Sequence, residues 1–420
     1  MSTSLTQTEP LAVDVAIVGG AMAGATLALG LAKLSESLAR PLRIALIEAH
    51  SIQQQHPGFD ARAIAIAHGS IFELTRLGIW PKLQHLGTAI ENIHVSDRGH
   101  FGMTELNAKA LGIAALGQVV ELAQMGKVLF EELAKSSVDV YCPAKVVDLQ
   151  AQANGHRVLL DDGTVLHCQL LVAADGAHSV VRKQLGQATE QIDFEQTAVV
   201  ANVTTDQPHQ HWAYERFTQT GPIALLPMTT TPSTPSVQSR YSLVWALTPA
   251  KADELKQADK AEFLAALQQA FGHRVGRFID VGQRVSYPLT LSYMPRPIYH
   301  RCVFVGNAAQ TLHPIAGQGF NLGLRDVVGL LKVLEQAFSA NAASANASVE
   351  LDVGSSAILH QYLSARQADR SSTLTNIEFL VRGFSNQYWP FVTGRNLSLR
   401  LLSWLPPLKR PVAQIAMGWR

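Results

Sequence analysis

Apolar residues cluster in short runs near the start of the chain, and their spacing sets the element each predicts. Val13-Asp-Val-Ala-Ile-Val18 reads as a buried strand, residues 22–34 as a helix with a packed face of small and apolar side chains, and Leu42-Arg-Ile-Ala-Leu-Ile47 as the next strand. Strand, helix and strand in this order start a parallel sheet. Two further apolar runs end in turn chemistry, at Leu170-Leu-Val-Ala-Ala-Asp-Gly176 and at residues 303–307. The economical solution is one sheet whose carboxyl ends converge on one ligand, with another domain inserted between its strands. The insert is expected at 191–287, where residues 197–203, 222–228 and 242–247 alternate or run apolar like strands and residues 229–236 form a loop. The fold class predicted is α/β, a Rossmann-like domain made of 11–190 and 288–375, a mixed β-sheet substrate domain at 191–287, and a helical extension at 376–420. Residues 339–348, rich in Ala, Ser and Asn, read as a solvated connection. No internal repeat is found.

Three turns carry the candidate chemistry. Gly19-Gly-Ala-Met-Ala-Gly24 follows the first strand, where a dinucleotide fingerprint would place G-x-G-x-x-G, but Ala21 stands at the middle glycine that lets backbone approach a diphosphate. Glu48 ends the second strand, where a carboxylate takes both hydroxyls of an adenosine ribose and repels a 2′-phosphate. Such a turn alone fits a ligand-free crossing about equally well. Asp175-Gly176-Ala-His-Ser179-Val-Val-Arg182 repeats the design, although by itself it reads as an N-cap with an ordinary ion pair. The richest stretch runs from Val303 to Asp326, with Gly317, Gly319 and Gly323 leaving backbone amides bare at a helix start and Asn321 beside them. It holds no Lys, so a flat electron-accepting ring with carbonyl oxygens suits it better than a phosphate.

Composition narrows the classes. The 420 residues suit about two domains, and 34 basic against 33 acidic residues leave a net charge of +1, too small a field to gather nucleic acid. Apolar residues are 47% and charged ones 16%, which predicts a large apolar core or pocket. Cys142, Cys168 and Cys302 form no C-x-x-C pair, residues 1–10 lack a signal-peptide pattern, and no window of about eighteen residues is apolar throughout, so a cytoplasmic chain is expected. His209 and His211 lack a third ligand at matching spacing, so a solvated loop and no metal are expected. Arg98 is expected to pair with Asp97. After Phe384 the chain turns aromatic and basic, with Trp389, Arg395, Arg400, Trp404, Lys409, Arg410 and Trp419, which suits either a closing helix or peripheral contact with a membrane or a partner.

The three motifs in this order resemble the flavin-dependent aromatic monooxygenases of the para-hydroxybenzoate hydroxylase type, over nearly the whole chain. His56-Pro-Gly-Phe-Asp-Ala-Arg-Ala-Ile-Ala-Ile66, His94-Val-Ser-Asp-Arg-Gly99 and Leu116-Gly-Gln-Val-Val-Glu121 sharpen the likeness to the ubiquinone-biosynthesis hydroxylases. The resemblance implies FAD as cofactor, NAD(P)H as reductant and O2 as co-substrate, with a flavin C4a-hydroperoxide attacked by an electron-rich ring, a polyprenylated phenol as substrate, and a ubiquinone-biosynthesis complex as a candidate partner. It implies that Gly19, Ala21, Met22, Ala23 and Gly24 flank the FAD diphosphate and that Glu48 holds the ribose. Arg62 and Gln118 match contacts to the flavin-side phosphate and ribityl chain, and Asp175 with Gly176 belongs to a motif that touches FAD and is implicated in the NAD(P)H response. Gly317, Gln318, Gly319, Phe320 and Asn321 match contacts to the isoalloxazine, with Pro314 at its edge. Asn307 replaces the Asp that most of the wider family uses on the ribityl hydroxyls, so it loses the charge and gains donors. Gly-Asn-Ala-Ala-Gln-Thr-Leu-His-Pro resembles the branch acting on 2-polyprenyl-6-methoxyphenols, whereas siblings read Gly-Asp-Ala-Ala-His. No acid or base is implied with force, and His313 is a weak catalytic candidate. Residues 222–228 and Trp245 are candidates for the pocket wall, with plain sheet core as the alternative.

Overall fold

The computed structural model describes residues 10–51, 62–229, 238–314, 317–343, 351–385 and 389–405, together with 409, 411, 413, 414 and 417. The first part of the His56 to Ile66 segment, most of the 229–236 loop, residues 344–348 and residues 410 and 419 lie outside them.

The first sheet has eight strands, with Cys302–Phe304, Val165–Ala173, Leu11–Val18, Ile44–Ile47 and Val138–Tyr141 side by side and parallel. Their side chains alternate between two buried faces. Val15 and Ile17 join Leu27, Leu31, Leu330 and Leu331 of the helices Met22–Ser35 and Gln318–Ala342, while Ala16 and Val18 join Leu166, Leu171 and Phe304. Burial on both sides explains the near-continuous apolar runs. The register is flush at one end, because Val18 lies opposite both Ile47 and Ala173, and Ala173 opposite Phe304. The residues that follow are therefore Gly19, Glu48, Ala174 and Val305, at one edge of one sheet.

The second sheet has nine strands in the order Gln310–Thr311, Val285–Tyr293, Glu190–Thr205, Ser239–Leu247, Pro222–Met228, Trp212–Phe217, Asn92–Asp97 and Met103–Asn107, with Phe278–Val281 also on Glu190–Thr205. It draws on more of the chain than 191–287. The hairpin of residues 92–107 covers the edge of Trp212–Phe217, which would otherwise present unpaired backbone groups. Val303 to Asp326 is also more divided than a strand, a turn and a helix. Its strand stops at Phe304, Gly306 turns at φ +57°, Gln310–Thr311 joins the edge of the second sheet, and the helix opens only at Gln318.

The outer face of the second sheet is closed by the helices Pro249–Gln257 and Lys260–Phe271. Trp245 belongs to that face, 4% exposed and edge-on to Phe263 at 6.1 Å, so it is core on the helix-covered side. Its cross-strand partner Ile223 shares this core, while Leu226 and Met228 point the other way, into a cluster with Ala65, Ile90 and Val119. A small third sheet of Ala63–Ala67, Gly117–Glu121 and Thr88–Ile90 lies against that inner face. His209 and His211 are half-buried. His209 Nδ1 accepts from the His211 amide at 3.0 Å, and the His209 amide donates to Ser239 Oγ at 2.6 Å, so internal bonds hold this loop against the sheet in place of solvent.

Two polar locks fix the remaining helices. Asp326, fully buried in the helix Gln318–Ala342, accepts from Arg366 Nε at 3.1 Å and Nη2 at 3.0 Å with one oxygen, and from the Gly306 amide and Gln310 Nε2 with the other. Gln310 Oε1 in turn accepts from Arg370 Nε at 2.9 Å. The second lock holds the helix Trp389–Trp404, where Arg395 Nε and Asn396 Nδ2 each donate to Asp97 Oδ2 at 2.8 Å, and the Gly102 amide donates to Asn396 Oδ1 at 2.7 Å. Asp97 is therefore paired with Arg395, 298 residues away, and not with its neighbour Arg98. A methyl on Gly102 would sit 2.2 Å from Asn396 Oδ1, so the hairpin turn and the helix require a glycine between them. The helix Ser356–Ser385 runs unbroken through residue 376.

Asp326→Asn should cost about 3–5 kcal/mol, because the buried Arg366 guanidinium loses a charge partner. Asn396→Ala should cost about 1–3 kcal/mol through the stranded Gly102 amide. Equilibrium denaturation with urea measures both, and unchanged midpoints would show that neither lock carries stability.

Candidate cofactor site

Close packing dictates the two outer glycines of the first turn. Gly19 has φ +100° and an added Cβ would lie 2.5 Å from the Ala174 carbonyl oxygen, while a Cβ on Gly24 would lie 1.8 Å from Gly19 O. Ala21 sits at φ −68°, half-exposed, in a conformation any residue adopts. Its methyl is thus tolerated by the chain. The first intrahelical acceptor is Ala21 O, taken by the Ala25 amide at 2.9 Å, so the amides of Met22, Ala23 and Gly24 have no acceptor one turn back, and no side chain caps them. Bare amides at the positive end of a helix dipole fit an anionic diphosphate.

Glu48 is buried and pinned beside this turn. Its Oε2 accepts from the Gly20 amide at 2.6 Å and its Oε1 from the His50 amide at 2.8 Å. Charge-assisted bonds of this kind fix the orientation of a carboxylate. On the next strand, Asp175 Oδ2 accepts from the Val181 amide at 3.1 Å, whereas its Oδ1 is buried with no partner in the protein, and burial raises its pKa above the ordinary carboxylate value. A buried acceptor without a donor is rare unless a ligand supplies one. Gly176 follows at φ +83°. Ser179, not Asp175, caps the helix Val180–Gln184, and Arg182 forms no ion pair here but donates to the carbonyls of Ala308 at 2.7 Å and Ala177 at 2.6 Å. One guanidinium thereby ties the second turn to the third.

In the third turn Asn307 is exposed beside Gly306. An added Cβ on Gly306 would come 3.3 Å from Ala23 Cβ, and one on Gly323 would come 3.0 Å from Gly306 Cα, so the first turn, the third turn and the helix Gln318–Ala342 meet here. Gly317 begins that helix at φ +60° without a side-chain cap, its amide donating to Pro314 O at 3.1 Å. Gly319 faces open space, Phe320 is half-buried and Gln318 is buried.

Asn321 does not present its amide to this space. It is 2% exposed, its Nδ2 donates to Ala65 O at 2.9 Å and Gly317 O at 2.8 Å, and its Oδ1 accepts from the Ala67 amide at 2.9 Å and Ser70 Oγ at 2.7 Å. Both donors and both acceptor positions are used, so Asn321 clamps the helix start to Ala63–Ala67 and shapes the seat without lining it. Arg62 lies just before that strand with its guanidinium 5.3 Å from the centre of the Tyr287 ring, and Gln118 is half-buried in the middle strand of the small sheet. His313 is 1% exposed, edge-on to Phe194 at 5.5 Å, and burial pushes its pKa down to about 4. It is neutral at physiological pH, so no imidazolium is available there as a general acid.

Residues whose roles were not foreseen from the sequence are Gly20, which orients Glu48, and Gln310, Arg366 and Arg370, which hold the third turn. The signal for the last group was Asp326, a lone acid closing an otherwise apolar and glycine-rich run.

Residues 12–347 match the family described as FAD binding domain. Over 412 residues the chain is 32% identical to the ubiquinone hydroxylase UbiL of Rhodospirillum rubrum, covering 96% of this chain and 89% of the relative. It is 29% identical to the 3-demethoxyubiquinol 3-hydroxylase of Escherichia coli, covering 96% and 98%. Its fold is like that of PqsL, a probable FAD-dependent monooxygenase from Pseudomonas aeruginosa, with a TM-score of 0.71 at 18% identity over 92% of this chain and 99% of the other. The Rossmann-like domain with a second mixed sheet is the para-hydroxybenzoate hydroxylase type of fold. The flush strand ends, the uncapped amides and the lone Asp175 oxygen fit the cofactor that the family carries, and the chain belongs to the FAD binding domain family, among its ubiquinone hydroxylases.

Proposed function

We propose that this protein uses NAD(P)H and O2 to hydroxylate a 2-polyprenyl-6-methoxyphenol para to its hydroxyl. The observation that carries the reading is the convergence of three turns on one edge of the first sheet. The Gly-Asn-Ala-Ala-Gln run supports the ring position by its resemblance alone. Its Gln310 donates to Asp326 and accepts from Arg370, so this side chain serves the lock that holds the turn.

Bound FAD would supply the redox chemistry, with the nicotinamide as electron donor and O2 as the source of the inserted oxygen atom. The chain supplies position and dryness. The amides of Met22, Ala23 and Gly24 would hold the diphosphate, Glu48 the adenosine ribose, and Arg62, Gln118, Asp175 and Asn307 the chain between diphosphate and ring. The amides at Gln318, Gly319 and Phe320 would face the ring carbonyls. Ala213, Leu226 and Met228 form an apolar cluster on the inner face, and Val95, Phe217 and Leu312 form another. Such a surface excludes water and accommodates an isoprenoid tail. A phenol hydroxyl directs oxygen insertion ortho and para, and in a 2,6-disubstituted phenol the open para carbon is the favoured one. Phe379, Leu397, Leu401, Trp404 and Leu405 are exposed on and beside the last two helices, which supports a peripheral contact near the source of so apolar a substrate.

The similarity to a 3-demethoxyubiquinol 3-hydroxylase favours a second reading, hydroxylation at another ring carbon of the same pathway. The intermediate that accumulates in a strain lacking this chain separates the two. A phenol unsubstituted para to the hydroxyl supports the first, and a later quinol supports the second. Purified protein should be yellow and should oxidise NAD(P)H faster with the phenol present; a flavin-bound protein indifferent to the phenol would instead be a non-catalytic scaffold.

Glu48→Arg should raise the FAD dissociation constant at least roughly tenfold, since it replaces a charge-assisted acceptor by a cation. Asn307→Asp should leave it within about threefold if Asn307 serves only as an acceptor. Fluorescence titration of the apoprotein with FAD reads both, and a large loss in the second variant would assign its role to the amide donors.

A further inference from the structure

The outer face of the second sheet carries a group of cations that the cofactor site does not use. Tyr214 and Arg216 of Trp212–Phe217 lie opposite His94 and Ser96 of Asn92–Asp97, on the same face as the Ile223 and Trp245 core. Arg98 enters beside them, its amide donating to Phe217 O at 2.8 Å. Arg274 arrives in the loop after the helix Lys260–Phe271, whose Phe271 lies edge-on to Tyr214 at 5.8 Å. Arg274 and Arg216 both act on His94, and Arg274 and Arg98 both act on Arg216, so the guanidiniums share one field.

Two observations mark this group as a site and not a solvated surface. None of Arg98, Arg216 and Arg274 makes an ion pair among the described residues. His94 is 1% exposed and its Nε2 has no partner, as is true of the buried Nε of Arg216. Like charges gathered in excess of their counterions repel one another, and buried polar atoms without partners are costly. A tetrahedral oxyanion relieves both at once, because its oxygens accept from several guanidiniums in their fork geometry. The acids nearby balance only part of this charge. Asp97 acts on Arg216 but is engaged by Arg395 and Asn396, and Glu105, opposite His94 on the neighbouring strand, still leaves the group net positive.

We propose that Arg98, Arg216, Arg274 and His94 form a binding site for a phosphate group, on the side of the second sheet turned away from the cofactor. The shared chemistry is a phosphate oxyanion, carried by free phosphate or by a lipid headgroup.

The test titrates inorganic phosphate into the full-length FAD-loaded protein at low ionic strength by calorimetry. Saturable binding is expected in the native protein, weakened roughly tenfold or more in Arg216→Gln and in Arg274→Gln. Glu105→Gln should tighten it, a direction that damage to the fold would not produce. Absence of saturable binding in the native protein, or equal affinity in all three variants, would overturn the proposal. Cosedimentation with phosphatidylglycerol but not phosphatidylcholine vesicles, lost in Arg216→Gln, would assign the phosphate to a lipid. Phosphate binding without that cosedimentation would assign it to a free ion.

Discussion

The buried carboxylate of Asp326 is the point on which the cofactor edge depends. One side chain in the helix Gln318–Ala342 neutralises Arg366, receives the amide of Gly306 and fixes Gln310, so the third turn is held from behind by charge and not by its own sequence. Arg366 also donates to Asp369, which pairs with Arg325 at 3.0 Å. Burial works against the charge of Arg366, but Asp326, Tyr362 and Asp369 hold its pKa above the ordinary value. An ion cluster of this kind adds little net stability over an apolar replacement, yet it fails badly when one member is lost. Its effect is one of specification, because only one placement of turn and helices satisfies every group.

Around that anchor, the site is assembled by alignment. A flush register makes three chain segments leave the sheet together, and close contacts among Gly19, Gly24, Ala174, Gly306 and Gly323 bring their backbones within reach of one extended ligand. The glycines that resemble a phosphate fingerprint are therefore needed twice. They let the backbones touch, and they leave amides uncovered where they touch. Ala21 is permitted because its position meets only the second demand.

Much of the first layer was legible because a strand buried on both faces writes itself as an apolar run, and a turn that admits no Cβ writes itself as glycine. The second layer was less legible for the same kind of reason. Strands such as Ser239–Leu247 are apolar on both faces, so a period of two does not say which face meets a ligand, and Trp245 proved to be on the helix-covered side. The hairpin of residues 92–107 was hidden because His94, Ser96 and Asp97 are buried polar residues, and the partners of Asp97 lie 298 and 299 residues downstream. Asn321 shows the complementary limit. Its residue type suits a ligand contact, but acceptors and donors 251 to 256 residues upstream consume it.

Gln310–Thr311 pairs with Ser292 and Tyr293 at the edge of the second sheet, only a few residues after Phe304 ends its strand in the first. The two layers are thus stitched by a continuous stretch of backbone too short to stretch or slacken. A shift of the second sheet would pull on the third turn, and a shift of the turn would reposition that sheet. The spacing of the two layers at this point is in this way a property of covalent chain length as well as of the side chains that lock the turn.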